Sequence, residues 1–245
     1  MAIPSPTAQY DLNNSASYSG TGNTLYDLGV NGYDITLDYG PTYTTYTGYN
    51  TLLFTHTGGQ TGTRNGSIGL GTTNPVFTFF NWIKPTALGP NSYNFFLQYG
   101  NESGSVGGAP GMLFQWNGSN SFAATFGSGK ADINTATSVT LGDWVCFCST
   151  CDGTTYKIYR NGVEVGSTSL SGSEIFPTEQ LRINGLVNNT VLQCSFELNY
   201  LEIFNSALTA GQVTELYDNT VGRFAAPPAY VGRVGGRQFN QGFNG

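Results

Sequence analysis

The chain has 245 residues, of which only 10% are charged, 14% are aromatic and 34 are glycine, and its net charge is −6. Few charges with many aromatics exclude a disordered chain, and the acidic balance excludes a nucleic-acid surface spread over the body of the protein. The opening residues MAIPSPTAQYDLNN carry neither a basic nor an apolar segment, so no secretory leader is expected. No apolar run reaches the length of a membrane span, and no membrane contact is expected.

Residues 1–7 read as an N-terminal extension. After them, short apolar and aromatic runs alternate with Gly, Asn, Ser and Thr clusters, the pattern of strands separated by turns. YDLNNSASYSGTGNTLYDLGVNGYDITL comes first, followed by GPTYTTYTGYN, in which Tyr43, Tyr46 and Tyr49 are candidates for an exposed aromatic platform. FTHTGGQTG holds His56, the chain's single histidine. The runs PVFTFFNWIKP, YNFFLQYG, GMLFQWNGSNSFAATFG, DWVCFCSTCDGTTYKIYRNGVEV, LRINGLV and FELNYLEIF are each read as one strand or a pair. Asn117-Gly118 and Asn161-Gly162 supply the positive φ values of tight hairpin turns, and Trp116 at the tip of the first hairpin is a further candidate ligand contact. LTAGQVTELYD, residues 208–218, has helical spacing with Thr209 as its N-cap. The fold class is all-β: an antiparallel two-sheet sandwich with one short C-terminal helix.

Three of the four cysteines fall within WVCFCSTCDG. On a strand Cys146 and Cys148 share one face and Cys151 takes the other, so they do not converge on a metal ion, and no metal or cofactor is expected. Neighbours two apart on a strand do not bridge, which leaves open only a disulfide from Cys194 to one of the three. Otherwise the cysteines are small apolar side chains of a reduced core. Strand parity places Glu197 and Glu202 on opposite faces, so they cannot act as a carboxylate pair. His56 has no nucleophile motif near it and reads as a loop residue.

The segments FTFFNWIKP, LGDWVCFCSTCDGTTYKIYRNGVEVGS, LRING and FELNYLEIFNSALTAGQVTELYD resemble, in order and spacing, the concanavalin A-like jelly rolls of the laminin-G type. The family's features would be Trp82 to Pro85, Gly142 to Trp144, Asp152-Gly153, Tyr159 to Gly162 and Phe204 to Leu208. The N-terminal run is similar to the opening of a subgroup common among bacteriophage and large-virus particle proteins. The resemblance covers residues 8–218 and implies a jelly roll with Trp82 and Trp144 in its core. Relatives carry carboxylates where this chain has FTHTGGQTG and Leu198-Asn199-Tyr200, so the family's calcium site is not expected here. Glycoside hydrolases on this fold carry Glu-x-Asp-x-x-Glu on one strand, and that segment does not occur.

Residues 219–245 form a Pro/Gly/Arg-rich arm with Arg223, Tyr230, Arg233, Arg237, Phe239 and Phe243 as anchors. Such a segment builds no core of its own and orders on a partner. The expectation is a non-enzymatic structural or surface component of a virus particle: a capsid-associated, decoration or tail protein. It would be made in the host cytoplasm, with other virion proteins and further copies of itself as partners. Nucleic acid is not an expected partner. The alternative is a lectin-like glycan-binding module for host attachment, and a third reading is a hydrolase.

Overall fold

The computed structural model describes residues 2–89, 93–100, 112–117, 121–126, 132–138, 140–170, 180–185 and 193–224. In chain order the strands are β1 (Ala8–Asp11), β2 (Thr24–Leu25), β3 (Ile35–Asp38), β4 (Thr42–Tyr46), β5 (Tyr49–Phe54), β6 (Thr61–Asn65), β7 (Val76–Ala87) and β8 (Tyr93–Tyr99). They continue with β9 (Met112–Asn117), β10 (Ser121–Phe126), β11 (Asp132–Ser138), β12 (Val145–Asp152), β13 (Thr155–Arg160), β14 (Val163–Ser169), β15 (Gln180–Ile183) and β16 (Ser195–Phe204). Helix α1 (Ala210–Val221) and one 3-10 turn, Gly222–Phe224, follow.

Two antiparallel sheets form the sandwich. The first runs β14-β13-β12-β7-β16-β5-β4, with β1 also paired to β16, and the second runs β11-β10-β9-β8-β15-β6-β3-β2. The Asn161-Gly162 turn takes φ of 50° and 79°, which lets β13 and β14 close a two-residue hairpin. Strands β9 and β10 pair as expected, while Gly118 of their turn lies outside the described residues.

Alternation along the strands splits the first sheet into two faces. Phe77, Phe79, Ile83, Val145, Phe147 and Cys151 point inward and meet Phe96, Tyr99, Leu181 and Ile183 of the second sheet in one continuous core. Phe96 sits edge-on to Phe147 at 5.6 Å and to Phe196 at 6.1 Å, which locks the two sheets together. Each such side chain contributes about 1.5–3 kcal/mol by leaving water.

The outward residues Phe80, Trp82, Cys146, Cys148, Tyr200 and Phe204 are covered by Val213 and Leu216 of α1. Thr209 caps this helix in a reciprocal capping box with Gln212, as its position predicts. The Gln212 amide also donates to the Ala2 carbonyl at 2.9 Å, and Ile3 packs into the same outer cluster. Residues 2–7 are thus strapped over the outer face rather than projecting from it. All four cysteines are buried thiols, with Cys146 and Cys148 beneath the helix and Cys151 between the sheets. Burial pushes the thiols of Cys146 and Cys148 well above their usual range.

Three expectations need correction. First, the helix runs to Val221 and its 3-10 turn to Phe224, so residues 219–224 belong to the body and the arm starts no earlier than residue 225. Second, Trp82 and Trp144 do not both lie in the core. Trp82 lies on β7 opposite Cys146 of the neighbouring strand β12, and Trp144, just before β12, is only half-buried on the same outer face. Third, Asn199 is an extra residue in β16: Leu198 pairs with Ile83 and Tyr200 with Trp82, leaving Asn199 without an opposite number in β7. This bulge reverses the parity of the strand. Leu198 and Leu201 both face inward, and Glu197, Tyr200 and Glu202 all face outward.

Candidate functional site

The outer face is incompletely covered. Between the end of α1 and the β13–β14 hairpin lies an open cleft of about 330 Å³ lined by Trp82, Trp144, Asn161, Tyr217, Val221 and Phe224. Each wall has a local cause. Trp82 is an outward residue of β7, fixed by its indole N–H donating to Thr220 Oγ1 at 2.8 Å. Asn161 is the first residue of the hairpin turn, and its side-chain oxygen accepts the Cys146 backbone N–H at 3.0 Å. Gly162 lets the hairpin approach α1: a Cβ there would stand 3.1 Å from Tyr217, at a φ of 79° that disfavours any other residue.

The rings form a connected array. Trp144 and Phe224 stack with centroids 4.2 Å apart, and Trp82 stacks on Tyr217 at 5.6 Å. Tyr49 meets Trp144 edge-on at 5.6 Å and Phe224 at 5.4 Å, and Tyr46 stacks on Tyr49 at 4.9 Å. Offset and edge contacts of this kind add about 0.5–1.5 kcal/mol each beyond their buried area.

Charged groups brace the array from two sides. Arg223 pairs with Asp11, donates from Nε to Asn199 Oδ1 at 2.9 Å, and lies 4.3 Å over the Tyr200 ring. These contacts hold the adjacent Phe224 in place. On the other side Lys84 Nζ lies 2.6 Å from Glu197 Oε1, 4.8 Å over Tyr46 and 5.5 Å over Trp144. Burial acts to lower the Lys84 pKa, but the hydrogen bond and charge of Glu197 outweigh it and hold the ammonium above its usual range.

Glu197 and Glu202 do share a face, contrary to the parity expectation, because the bulge at Asn199 lies between them. The strand reads Glu197-Leu198-Asn199-Tyr200-Leu201-Glu202, the carboxylate spacing of the hydrolase segment with Asn at its central acidic position. Neither carboxylate lines the cleft, and both are buried. Glu197 is neutralised by Lys84 and accepts from Tyr46. Glu202 accepts from Tyr200 at 2.6 Å and Gln9 at 2.8 Å, and burial pushes its pKa up. This arrangement ties neighbouring strands together rather than opening two carboxyl groups to a glycosidic bond.

Of the candidates from sequence, the fold brings Tyr46 and Tyr49 together next to the cleft and sends Tyr43 away. Tyr43 turns to the opposite face, where it packs on Tyr18 at 5.4 Å and against the inter-sheet core. Trp116 lies within β9, opposite Phe122 and Asn94, rather than at a hairpin tip, and its side chain lies outside the described residues. Arg223 is an internal brace, not an arm anchor. Tyr230, Arg233, Arg237, Phe239 and Phe243 lie outside the described residues. His56 Nδ1 sits 2.9 Å from Ser195 Oγ and ties the loop after β5 to the start of β16. Among the described residues no cluster of three His, Cys, Asp or Glu could hold a metal ion.

None of the six cleft residues is a ligand candidate from sequence: Trp82 and Trp144 read as core, Asn161 as a hairpin turn, Tyr217 as helix, and Val221 and Phe224 as arm. Trp144 carried one signal: it follows the Gly142-Asp143 turn and immediately precedes a strand, a position poorly covered by neighbours.

A search of the curated proteins found no relative of this sequence. Among solved structures the chain is similar to the binding domain of Paraclostridial Mosquitocidal Protein 1, with 15% identity, a TM-score of 0.65, and 86% of this chain and 52% of that one covered. It is similar to the Botulinum neurotoxin serotype G binding domain, with 14% identity, a TM-score of 0.67 and coverage of 88% and 51%. It is also similar to Trypanosoma rangeli sialidase in complex with sialic acid, with 13% identity, a TM-score of 0.60 and coverage of 87% and 33%. The chain thus spans a third to a half of the length of these proteins, and at such identities the likeness is one of fold. Residues 57–214 match the family model of the Concanavalin A-like lectin/glucanases superfamily, and the chain belongs to that family.

Proposed function

We propose that the chain is a non-enzymatic structural or surface component of a virus particle, acting by contact through the outer face of its lectin-like jelly roll. The observation that carries the contact reading is the open aromatic cleft walled by Trp82, Trp144, Tyr217 and Phe224, with its polar neighbours already paired to one another. Connected rings beside an open concavity are the composition of binding surfaces, where large flat side chains give area at little cost in conformational freedom. The particle setting is supported by the resemblance of the N-terminal run to the opening of virus-particle relatives. Mass spectrometry of purified particles from the native source tests it: this chain in stoichiometric amount is expected, and its absence from clean particles overturns the setting.

A second reading is favoured by the same rings. Aromatic faces stack on the C–H faces of sugars, the family includes lectins, and the solved neighbours include toxin binding domains and a sialidase holding sialic acid. A glycan array with the wild type and Trp144→Ala tests it. A sugar bound by the first and lost by the second makes the chain a glycan-binding module.

A further inference from the structure

The polypeptide leaves the described fold at the lip of the cleft. Phe224, a wall of the cleft, is followed by two alanines and then by Pro227-Pro228-Ala229-Tyr230. We propose that the cleft is a socket for the Pro227 to Tyr230 segment of a second copy of this chain, so that copies join head to tail by exchanging arms. The proposal rests on the contact reading above and names the partner of that face.

Three observations favour this occupant. The first is chemistry. Proline-rich segments dock in aromatic-lined grooves, because paired prolines already hold the extended helix that binding requires, so little ordering cost remains. Such a segment keeps its carbonyl oxygens as free acceptors for donors at the rim of the groove. The second is charge. All 15 acidic residues and seven of the 9 basic ones precede residue 225, a net of −8, against +2 from Arg233 and Arg237 in residues 225–245. An arm of that sign is drawn to the body of another copy.

The third is reach, which decides between the chain's own cleft and a neighbour's. Only two residues separate Phe224 from Pro227, three steps or about 10 Å of fully extended chain. A residue before proline disfavours helical backbone, and the sequence sets both Ala226 and Pro227 before a proline. So short a leader, with residues of that kind, favours a neighbour's cleft over the chain's own, in which Phe224 is already stacked on Trp144. Head-to-tail contacts of this kind close into rings or run into filaments according to the rotation between copies.

The test uses the full chain in sedimentation velocity over a concentration series. The wild type is expected to self-associate below about 0.1 mM. Trp144→Ala in the socket and Tyr230→Ala in the arm should each weaken association at least about tenfold, a loss of one aromatic anchor. A thermal melt of Tyr230→Ala that matches the wild type shows that its effect on association does not come from a damaged domain. Mixing the two variants should restore a single 1:1 pair, since one keeps a sound arm and the other a sound socket. A wild type that stays monomeric over the whole series overturns the proposal, and so does association that Tyr230→Ala leaves unchanged. A monomer whose tryptophan emission shifts with Tyr230→Ala places the segment in its own cleft and overturns the exchange. A glycan that binds the monomer and is lost in Trp144→Ala gives the cleft to sugar instead. Because particle membership is measured separately by mass spectrometry, a failed socket leaves the particle reading standing.

Discussion

The two faces of the first sheet come from the same strands and differ in what covers them. The inner face is aliphatic and Phe-rich and is matched across its breadth by a second sheet of comparable size. The outer face carries Trp, Tyr, Lys, Glu and thiols, and its cover is one 12-residue helix with a strap of N-terminal chain. A helix of that length is about 18 Å long, whereas the six steps from β14 to β4 span about 29 Å. The cleft is part of the surface that this cover leaves open. A site arises here from a cover too short for the surface beneath it, and the residues at its edge are those that tolerate both water and contact.

The comparison is sharpened most by removing a ring from each side. Phe147→Ala, which empties a position between the sheets, is expected to cost about 3–5 kcal/mol in urea melts, the range for a buried aromatic truncation. A loss under about 1 kcal/mol would break the claim that the inner face carries the fold. Trp144→Ala on the outer face should cost less, about 2 kcal/mol, because the ring is half-exposed and its contacts are with other edge residues. Equal losses at the two positions would mean the outer array is core rather than surface.

Glu202→Gln probes the buried polar part of the outer face. Burial raises the Glu202 pKa in the folded state, so folding takes up a proton between the unfolded and folded values. The stability linked to that proton is fully present below the unfolded pKa and is lost as pH rises through the folded pKa. Gln keeps the acceptor for Tyr200 and Gln9 and replaces Oε2, which is buried without a partner. The variant should therefore gain about 1 kcal/mol at neutral pH and show a flatter stability profile from acid to neutral pH. An unchanged slope would remove Glu202 from the account. Smallest of all, Lys157→Ala breaks an exposed pair with Glu164 at 3.0 Å and should change stability by less than about 0.5 kcal/mol.

Much of the frame is legible in the residues. Alternation marks β7 and β12, Asn161-Gly162 marks a hairpin, and Thr209 with Gln212 marks the helix start, because each is a local rule that the tertiary fold does not override. The site was harder to read. Tyr43, Tyr46 and Tyr49 are evenly spaced, yet only the last two meet, since the turn between them brings Tyr46 directly opposite Tyr49 while Tyr43 falls on the other face. The bulge at Asn199 carries no Gly or Pro to announce it, so parity misplaced everything beyond it. Phe224 follows a helix whose length was underestimated, and a ring assigned to a free arm proved to be a wall of the cleft.

That extra residue in β16 has a genetic consequence. Asn199 donates to Asn13 and to the Asn50 carbonyl and accepts from Arg223, so a substitution there loosens three neighbours, yet each strand keeps its facing. Loss of its codon is a different kind of lesion. Strict alternation would return with every facing kept, because Leu198 inward, Tyr200 outward and Leu201 inward is already the alternating order, and Leu198 and Tyr200 already pair with the consecutive residues Ile83 and Trp82. Within this gene, codon 199 should be the one along the strand whose in-frame deletion is tolerated, since removing a regularly paired neighbour reverses the facing of the residues beyond it, and a deletion library would show survivors at that codon alone.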